Sequence, residues 1–454
     1  MLRRRIEGAL AEWRKDLASR KALFVTGSRQ IGKSFSIREF AKRSYSTLIE
    51  INLMEDVRAK DALASAENAA DFISRVMLLS GKSIEVGNTL VFIDEIQEAP
   101  DVMTMAKFLV EDGRCHWAFS GSMLGTEFKG VRSYPVGYVN ELTMHPLDFE
   151  EFCWAIGISD EARETVRRCC LEQTPVPDYI HNALMSNFRT YLVVGGMPEV
   201  VQRFLDTRGD FASVRQLQTE LNEQYRRDIS KYANGRVLQV QSIYDQLPVQ
   251  LEGENKRFVL NSVDPKASYE KYQRDFVWLV NAGVALKTDI VTEPKSPLLK
   301  TARPSQFKLY QSDTGMLMAR YPAGVAQAAY LDSKEPNLGG VYENVVAQQL
   351  VAQGRELYYY QTKRRGEVDF VVDGADGAAV PIEVKSGAYY HAHAALDHVV
   401  ETAEYGVRRG IVFSRGNVEK GDKVLYLPIY AMYVLPVILG DGRANGLRLT
   451  TVTV

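Results

Sequence analysis

The sequence predicts an α/β protein of several domains whose N-terminal part holds a parallel sheet. Three observations predict it. Short apolar runs at 22–26, 47–53, 89–95 and 116–122 alternate with helix-like stretches, the pattern of buried parallel strands covered on both faces. The first run stops at a loop bounded by glycines, Gly27-Ser28-Arg29-Gln30-Ile31-Gly32-Lys33-Ser34, placed between a strand and a helix. The chain has 454 residues, 46% hydrophobic and 25% charged, which suits about three folded domains.

In chain order, residues 1–21 read as a basic amphipathic helix, with Ile6, Leu10, Trp13 and Leu17 at helical spacing. The alternating α/β part follows to about 150. Residues 150–235 are mostly helical, and 236–330 mix helices with a hairpin expected around 285–310. A turn-rich stretch, SKEPNLGG at 333–340, marks a boundary near 331, after which come one helix and several strands. The net charge of -2 excludes a general polycation. Four cysteines without a CxxC spacing point away from a disulfide framework or a structural zinc site, and toward a reducing compartment. The first residues lack the apolar core of a signal peptide, and the apolar stretch 429–439 is too short to span a bilayer and contains Pro436. A cytoplasmic protein with no membrane contact is expected.

The loop Gly27–Ser34 fits G-x-x-x-x-G-K-[ST]. Its backbone N–H groups and the following helix N-terminus converge on phosphate oxygens, and glycine leaves room for that approach. Lys33 is expected to reach the β- and γ-phosphates, and the Ser34 hydroxyl to ligate Mg²⁺. The run 90–95 is an apolar strand ending in two carboxylates. Asp94 is expected to hold Mg²⁺ directly or through water, and Glu95 to polarise the attacking water as a general base.

With these two motifs, residues 1 to about 235 resemble the AAA+ superfamily of P-loop ATPases. The resemblance implies ATP and Mg²⁺ as cofactors. It places a γ-phosphate-sensing polar residue after the next strand, Ser120 or Ser122. It also likens Leu192–Glu199 to the Gly-x-Pro element in which Pro198 contacts the adenine from a helical lid. The arginine finger has no matching motif. Gly137-Tyr138 stands where relatives often carry Gly-Arg, and Arg132 or Arg227 would have to serve, so hydrolysis is expected to be slow or to need a charge in trans.

A second constellation lies at 343–385. Asp369 precedes Glu383 by 14 residues, and Lys385 follows Glu383 by two, so Glu383 and Lys385 share a strand face. Glu343 sits on the helix that starts after Gly339-Gly340. The set resembles the PD-(D/E)XK nuclease superfamily, in which Asp369, Glu383 and Glu343 would bind Mg²⁺ and Lys385 would orient the attacking water. A common bacterial and archaeal family of AAA+-like ATPases carries such a domain at its C-terminus, and nearly the whole chain resembles it. Against this, residues 331–454 hold 13 basic and 15 acidic residues, less basic than a non-specific DNA-binding face. Lys363-Arg364-Arg365 is the one clear phosphate-contact cluster there. Residues 1–45, with 12 basic and 4 acidic residues, could meet DNA or solvent.

The expected architecture is therefore an α/β chain in four parts: an AAA+ ATP-binding core at 1–150, a helical lid at 151–235, a winged-helix-like domain at 236–330 and a PD-(D/E)XK nuclease-like domain at 331–454. In the third part, Tyr272, Phe276, Leu279 and Val280 form an apolar stripe read as core. His391, His393 and His398 are read as surface residues. The expected partners are DNA or RNA, a protein partner or further copies of the chain. The alternative function is a nucleotide-dependent signalling or scaffold ATPase whose C-terminal domain is inactive and binds a protein.

Overall fold

The computed structural model describes residues 2–16, 21–122, 135, 137–232, 235–253, 256–333, 335 and 337–441. The chain divides into two compact units, Met1–Pro146 with Asn281–Gly283, and Leu147–Val280 with Val284–Val454.

The first unit is a five-stranded sheet of β1 (Ala22–Thr26), β2 (Thr47–Asn52), β3 (Thr89–Asp94), β4 (His116–Ser120) and β5 (Val139–Thr143), in the order β2-β3-β4-β1-β5. All four neighbouring pairs are parallel. The central strands β1 and β3 are buried at every position, as their unbroken apolar runs require. Phe24, Ile49, Phe72, Val91, Ile93, Trp117 and Phe119 make one core with the covering helices, each side chain worth about 1.5–3 kcal/mol of burial. β5, which the sequence does not predict, is a half-exposed edge strand. The basic N-terminal helix spans only Ile6–Lys15, with Leu10 its one fully buried residue; Leu17 lies outside the described residues.

In the second unit, helices Phe149–Ala155, Asp160–Glu172, Asp178–Val194, Pro198–Asp206 and Phe211–Tyr232 form the expected helical part. The first of them opens with a capping box, in which the Asp148 side chain accepts from Glu151 N–H at 2.8 Å. An eight-stranded mixed sheet follows, built from β6 (Ala285–Val291), β7 (Ala302–Gln311), β8 (Tyr358–Thr362), β9 (Gly366–Asp373), β10 (Ala379–Val384), β11 (Gly410–Ser414), β12 (Glu419–Lys420) and β13 (Val424–Pro428). Its order is β12-β13-β11-β10-β9-β8-β6-β7. The hairpin expected at 285–310 forms as β6–β7, and β6 also pairs in parallel with β8. Strands on both sides of the turn-rich stretch at 333–340 thus belong to one sheet.

Tyr272, Phe276 and Leu279 are core, as the stripe predicts; Phe276 packs 5.4 Å from Phe258 and 4.7 Å from Phe307 between ring centres. The helix Gly339–Ala352 is buried on almost every side although it carries polar residues. Specific bonds make this tolerable: Asn344 accepts from Gln311 N–H at 2.7 Å and donates to Gln311 O at 3.0 Å. His393 departs from its expected surface position. It is buried, with Nε2 2.8 Å from the Tyr426 hydroxyl, while His391 stays exposed beside Glu419. No helix among the described residues is long and apolar enough to cross a membrane.

Candidate functional site

The loop Gly27–Ser34 leaves β1 and enters the helix Lys33–Ser44. Gly27 and Gly32 have φ of 141° and 88°, and Gln30 has 63°. A Cβ on Gly27 would sit 2.5 Å from Ile31 Cδ1 and collide with the Met144 carbonyl, so glycine is needed for both conformation and space. Ile31 is fully buried and plugs the loop from below. Arg4 ties the loop down, donating to Ile31 O at 2.9 Å and to His145 O at 2.7 Å. The sequence does not predict this Arg4 anchor; its only signal there is the basic run at 3–5.

Lys33 is buried and donates to the loop carbonyls of Gly27 and Ser28 at 3.0 and 2.7 Å. Burial brings its ammonium down to about 8, against the pull of Glu95 and Asp94 in the other direction. Ser34 Oγ donates to Asp94 Oδ2 at 2.7 Å, and Ser120 Oγ donates to Asp94 Oδ1. The two strand ends and the helix start therefore meet at one carboxylate. This donor set fits a triphosphate with Mg²⁺: Ser34 and Asp94 would hold the ion, and Lys33 with the loop N–H groups would hold the phosphates. The bound ion would supply charge neutralisation at the phosphate oxygens.

Glu95 sits at φ 56°, a left-handed conformation uncommon for a residue with a side chain. Its N–H donates to Asp94 Oδ1 at 3.0 Å, and its carboxylate accepts from Gln97 Nε2. Gln97, which orients the expected base, belongs to no motif and so carries no signal in the sequence. Of the two sensing candidates, Ser120 reaches the Asp94 carboxylate. Ser122 is buried, with its Oγ unpartnered among the described residues.

Pro198 opens the helix Pro198–Asp206 in the second unit, where its missing N–H costs nothing. The preceding glycines pack tightly. Gly196 N–H donates to Asp313 Oδ2 at 2.6 Å, and Leu147 N–H donates to Gly196 O at 2.6 Å. Asp313 also accepts from Met316 N–H at 2.9 Å, capping the helix Thr314–Met318. Burial pushes the Asp313 carboxyl up to about 6, partly offset by the N–H groups of Gly196, Met316 and Gly315. This packing accounts for the two glycines of the run, at each of which a Cβ would meet neighbouring atoms closer than 3 Å. Arg132 lies outside the described residues, and Arg227 is exposed on the helix Phe211–Tyr232.

Asp369 on β9 and Glu383 on β10 lie on paired antiparallel strands, with Glu343 on the helix Gly339–Ala352. All three are buried. Lys385 Nζ is 2.8 Å from Glu383 Oε1, as the two-residue spacing predicts. Asp369 Oδ2 accepts from Val384 N–H at 2.8 Å. Glu343, however, is already partnered. One carboxylate oxygen pairs with Lys256, and the other lies 3.4 Å from Lys308 Nζ and 3.0 Å from the Tyr310 hydroxyl. Lys308 also pairs with Glu367.

Burial pushes Asp369 well above the carboxylate range, reinforced by Glu343 and Glu383, and it pushes Glu383 up as well. For Glu343 the same burial is outweighed by Lys308 and Lys256, and the net direction is down. Among the described residues no three His, Cys, Asp or Glu side chains are gathered to hold one metal ion. The expected Mg²⁺ set of Glu343, Asp369 and Glu383 is thus not formed here: two ammonium groups occupy the oxygens of Glu343. The Lys363-Arg364-Arg365 turn is exposed at the β8–β9 hairpin.

Residues 19–153 match the family described as AAA domain. Residues 185–326 and 338–432 match two domains of unknown function, DUF8612 and DUF4143. No curated protein matches the chain. Among solved structures, the chain is similar to the ORC1 protein of Aeropyrum pernix in complex with DNA, at 10% identity and a TM-score of 0.29, covering 73% of this chain and 93% of that one. It is also similar to the Drosophila ORC bound to AT-rich DNA and Cdc6, at 12% identity and a TM-score of 0.23, over 44% of this chain and 91% of that one. The Pif1 helicase from Candida albicans matches at 15% identity and a TM-score of 0.23, over 40% of this chain and 47% of that one. Scores this low carry no weight for function. The family match and the loop geometry agree: residues 19–153, which match an AAA domain, contain the loop Gly27–Ser34 in the form that binds phosphate.

Proposed function

We propose that the chain is an ATP-binding and ATP-hydrolysing AAA+-type switch that couples its nucleotide state to its C-terminal domain. The observation that carries this reading is the meeting of Ser34, Asp94 and Ser120 beside the loop that holds Lys33. The loop N–H groups and Lys33 bind the phosphates, and Lys33 exchanges its present bonds to the Gly27 and Ser28 carbonyls for phosphate oxygens. Glu95, steadied by Gln97, orients the attacking water and takes its proton. The sequence matches no arginine-finger motif, so the basal rate is slow and rises when a partner or a second copy provides that charge.

The test is ATP turnover by the purified chain with Mg²⁺. Glu95→Gln is expected to lower turnover by roughly 10²–10⁴-fold while ATP still binds. Equal turnover by wild type and Glu95→Gln would rule out the assignment.

Two readings of the C-terminal domain follow. In the first it is nuclease-like and acts on DNA or RNA through Asp369, Glu383 and Lys385. In the second it is non-catalytic and binds a protein partner. The ammonium groups on both oxygens of Glu343 favour the second. Incubation with DNA or RNA, Mg²⁺ and ATP separates them: cleavage that disappears in Asp369→Ala selects the first.

A further inference from the structure

The buried cluster around Glu343 joins five parts of the second unit. Lys256 comes from the segment after the helix Val237–Glu252, Lys308 and Tyr310 from β7, Glu343 from the helix Gly339–Ala352, Glu367 and Asp369 from β9, and Glu383 from β10. Carboxylates gathered in a protein interior need compensating charge, because each loses hydration worth several kcal/mol even after the surroundings relax. A divalent ion is one way to provide it. Here the chain provides it from its own side chains.

Lys308 is completely buried and lies between Glu343 and Glu367. Lys256, with its side chain 20% exposed, closes the outer oxygen of Glu343. Lys385 faces Glu383 at 2.8 Å. Three ammonium groups thus stand against four carboxylates. Asp369, buried on the neighbouring strand, accepts from Val384 N–H at 2.8 Å. An arriving divalent ion would find no uncommitted oxygen on Glu343 and would be repelled by Lys308, which has no solvent into which to withdraw.

We propose that Lys256 and Lys308 stand in for the divalent cation, so that this cluster is a metal-independent brace of ion pairs holding β7, β9, β10 and the helix Gly339–Ala352 together. The inference deepens the non-catalytic reading of the C-terminal domain and rests on it for its functional meaning.

The test uses the full chain carrying Ser34→Ala and Asp94→Ala, which removes the metal ligands at the nucleotide loop. Mn²⁺ is titrated and followed by the electron paramagnetic resonance signal of the free ion. Mn²⁺ is expected to remain free up to about 1 mM, and the melting temperature is expected not to move with it. One Mn²⁺ bound per chain at micromolar concentration, and released by Glu383→Gln, would overturn the proposal. A second measurement reads the brace itself. Lys256→Met is expected to lower the melting temperature by roughly 5 °C or more, since it leaves a buried carboxylate oxygen unpaired, and adding Glu343→Gln is expected to restore at least half of that loss. No loss in Lys256→Met, or no recovery in the double variant, would contradict it. Should Mn²⁺ stay free while the wild-type chain cuts DNA in an Asp369-dependent way, the brace stands and the non-catalytic reading fails.

Discussion

Gly196→Ala probes a close backbone-to-backbone contact in the second unit. A Cβ there would sit 2.7 Å from Leu147 N and 2.8 Å from Leu147 C, and would overlap the Leu147 carbonyl oxygen. These are backbone atoms, which cannot rotate away as a side chain does. Relief requires Gly196 and Leu147 to separate, and three costs follow. The 2.6 Å bond from Leu147 N–H to Gly196 O is lost, about 1 kcal/mol. The 2.6 Å bond from Gly196 N–H to Asp313 weakens, about 1.5–3 kcal/mol for a charged acceptor. The strain of the overpacked site adds about 1–3 kcal/mol. Together these give roughly 3.5–7 kcal/mol, and a melting temperature lowered by roughly 7 °C or more.

The assay is thermal unfolding followed by far-ultraviolet circular dichroism, with Gly8→Ala as the control. Gly8 lies in the N-terminal helix, and a Cβ added to it would meet nothing within 4 Å, so alanine there is expected to stabilise by about 0.5–1 kcal/mol. If Gly196→Ala melts within about 2 °C of wild type, the close approach of Gly196 to Leu147 does not exist and the packing explanation of this motif is wrong.

Three further outcomes are expected. Asp313 titrates from about 6 in the fold against an ordinary value of 3.8, so its contribution is fully present below pH 3.8 and is lost as pH rises through 6. The stability of wild type relative to Asp313→Asn should therefore fall by about 3 kcal/mol between pH 4 and 7, measured by urea unfolding, and a difference independent of pH would contradict this. Ser34→Ala removes a hydroxyl from Asp94 and should lower Mg²⁺-dependent ATP turnover by at least about 10-fold, with a smaller effect on folding, read by turnover and melting temperature together. Arg4→Ala frees the Ile31 and His145 carbonyls and should raise the KM for ATP by several-fold with little change in kcat; an unchanged KM would mean that the anchor does not shape the loop.

What is legible in the sequence is what local chemistry dictates. Gly27, Gly32, Lys33 and Ser34 are consecutive or nearly so, and their spacing alone implies the turn that the φ values display. The apolar runs ending at Thr26, Asp94 and Ser120 identify strands because parallel strands are buried on both faces. A period-of-two argument likewise puts Glu383 and Lys385 side by side, next to the strand that carries Asp369. The parts that stay hidden depend on partners distant in the chain. Lys256 and Lys308 lie 87 and 35 residues from Glu343, and nothing in their neighbourhoods distinguishes them from surface lysines. The same holds for Arg4, whose acceptor His145 lies 141 residues away. The turn-rich stretch at 333–340 suggests a break, but turn chemistry reports only local direction, and it carries no information on the β6–β8 pairing that runs past it.

The central claim is that the loop after β1 holds a nucleoside triphosphate through Lys33. Isothermal titration of ATP with Mg²⁺ into the full chain tests it most directly. Saturable binding at one site per chain, weakened at least about 10-fold in Lys33→Ala, is the expected result. Equal affinity in the two proteins would contradict it.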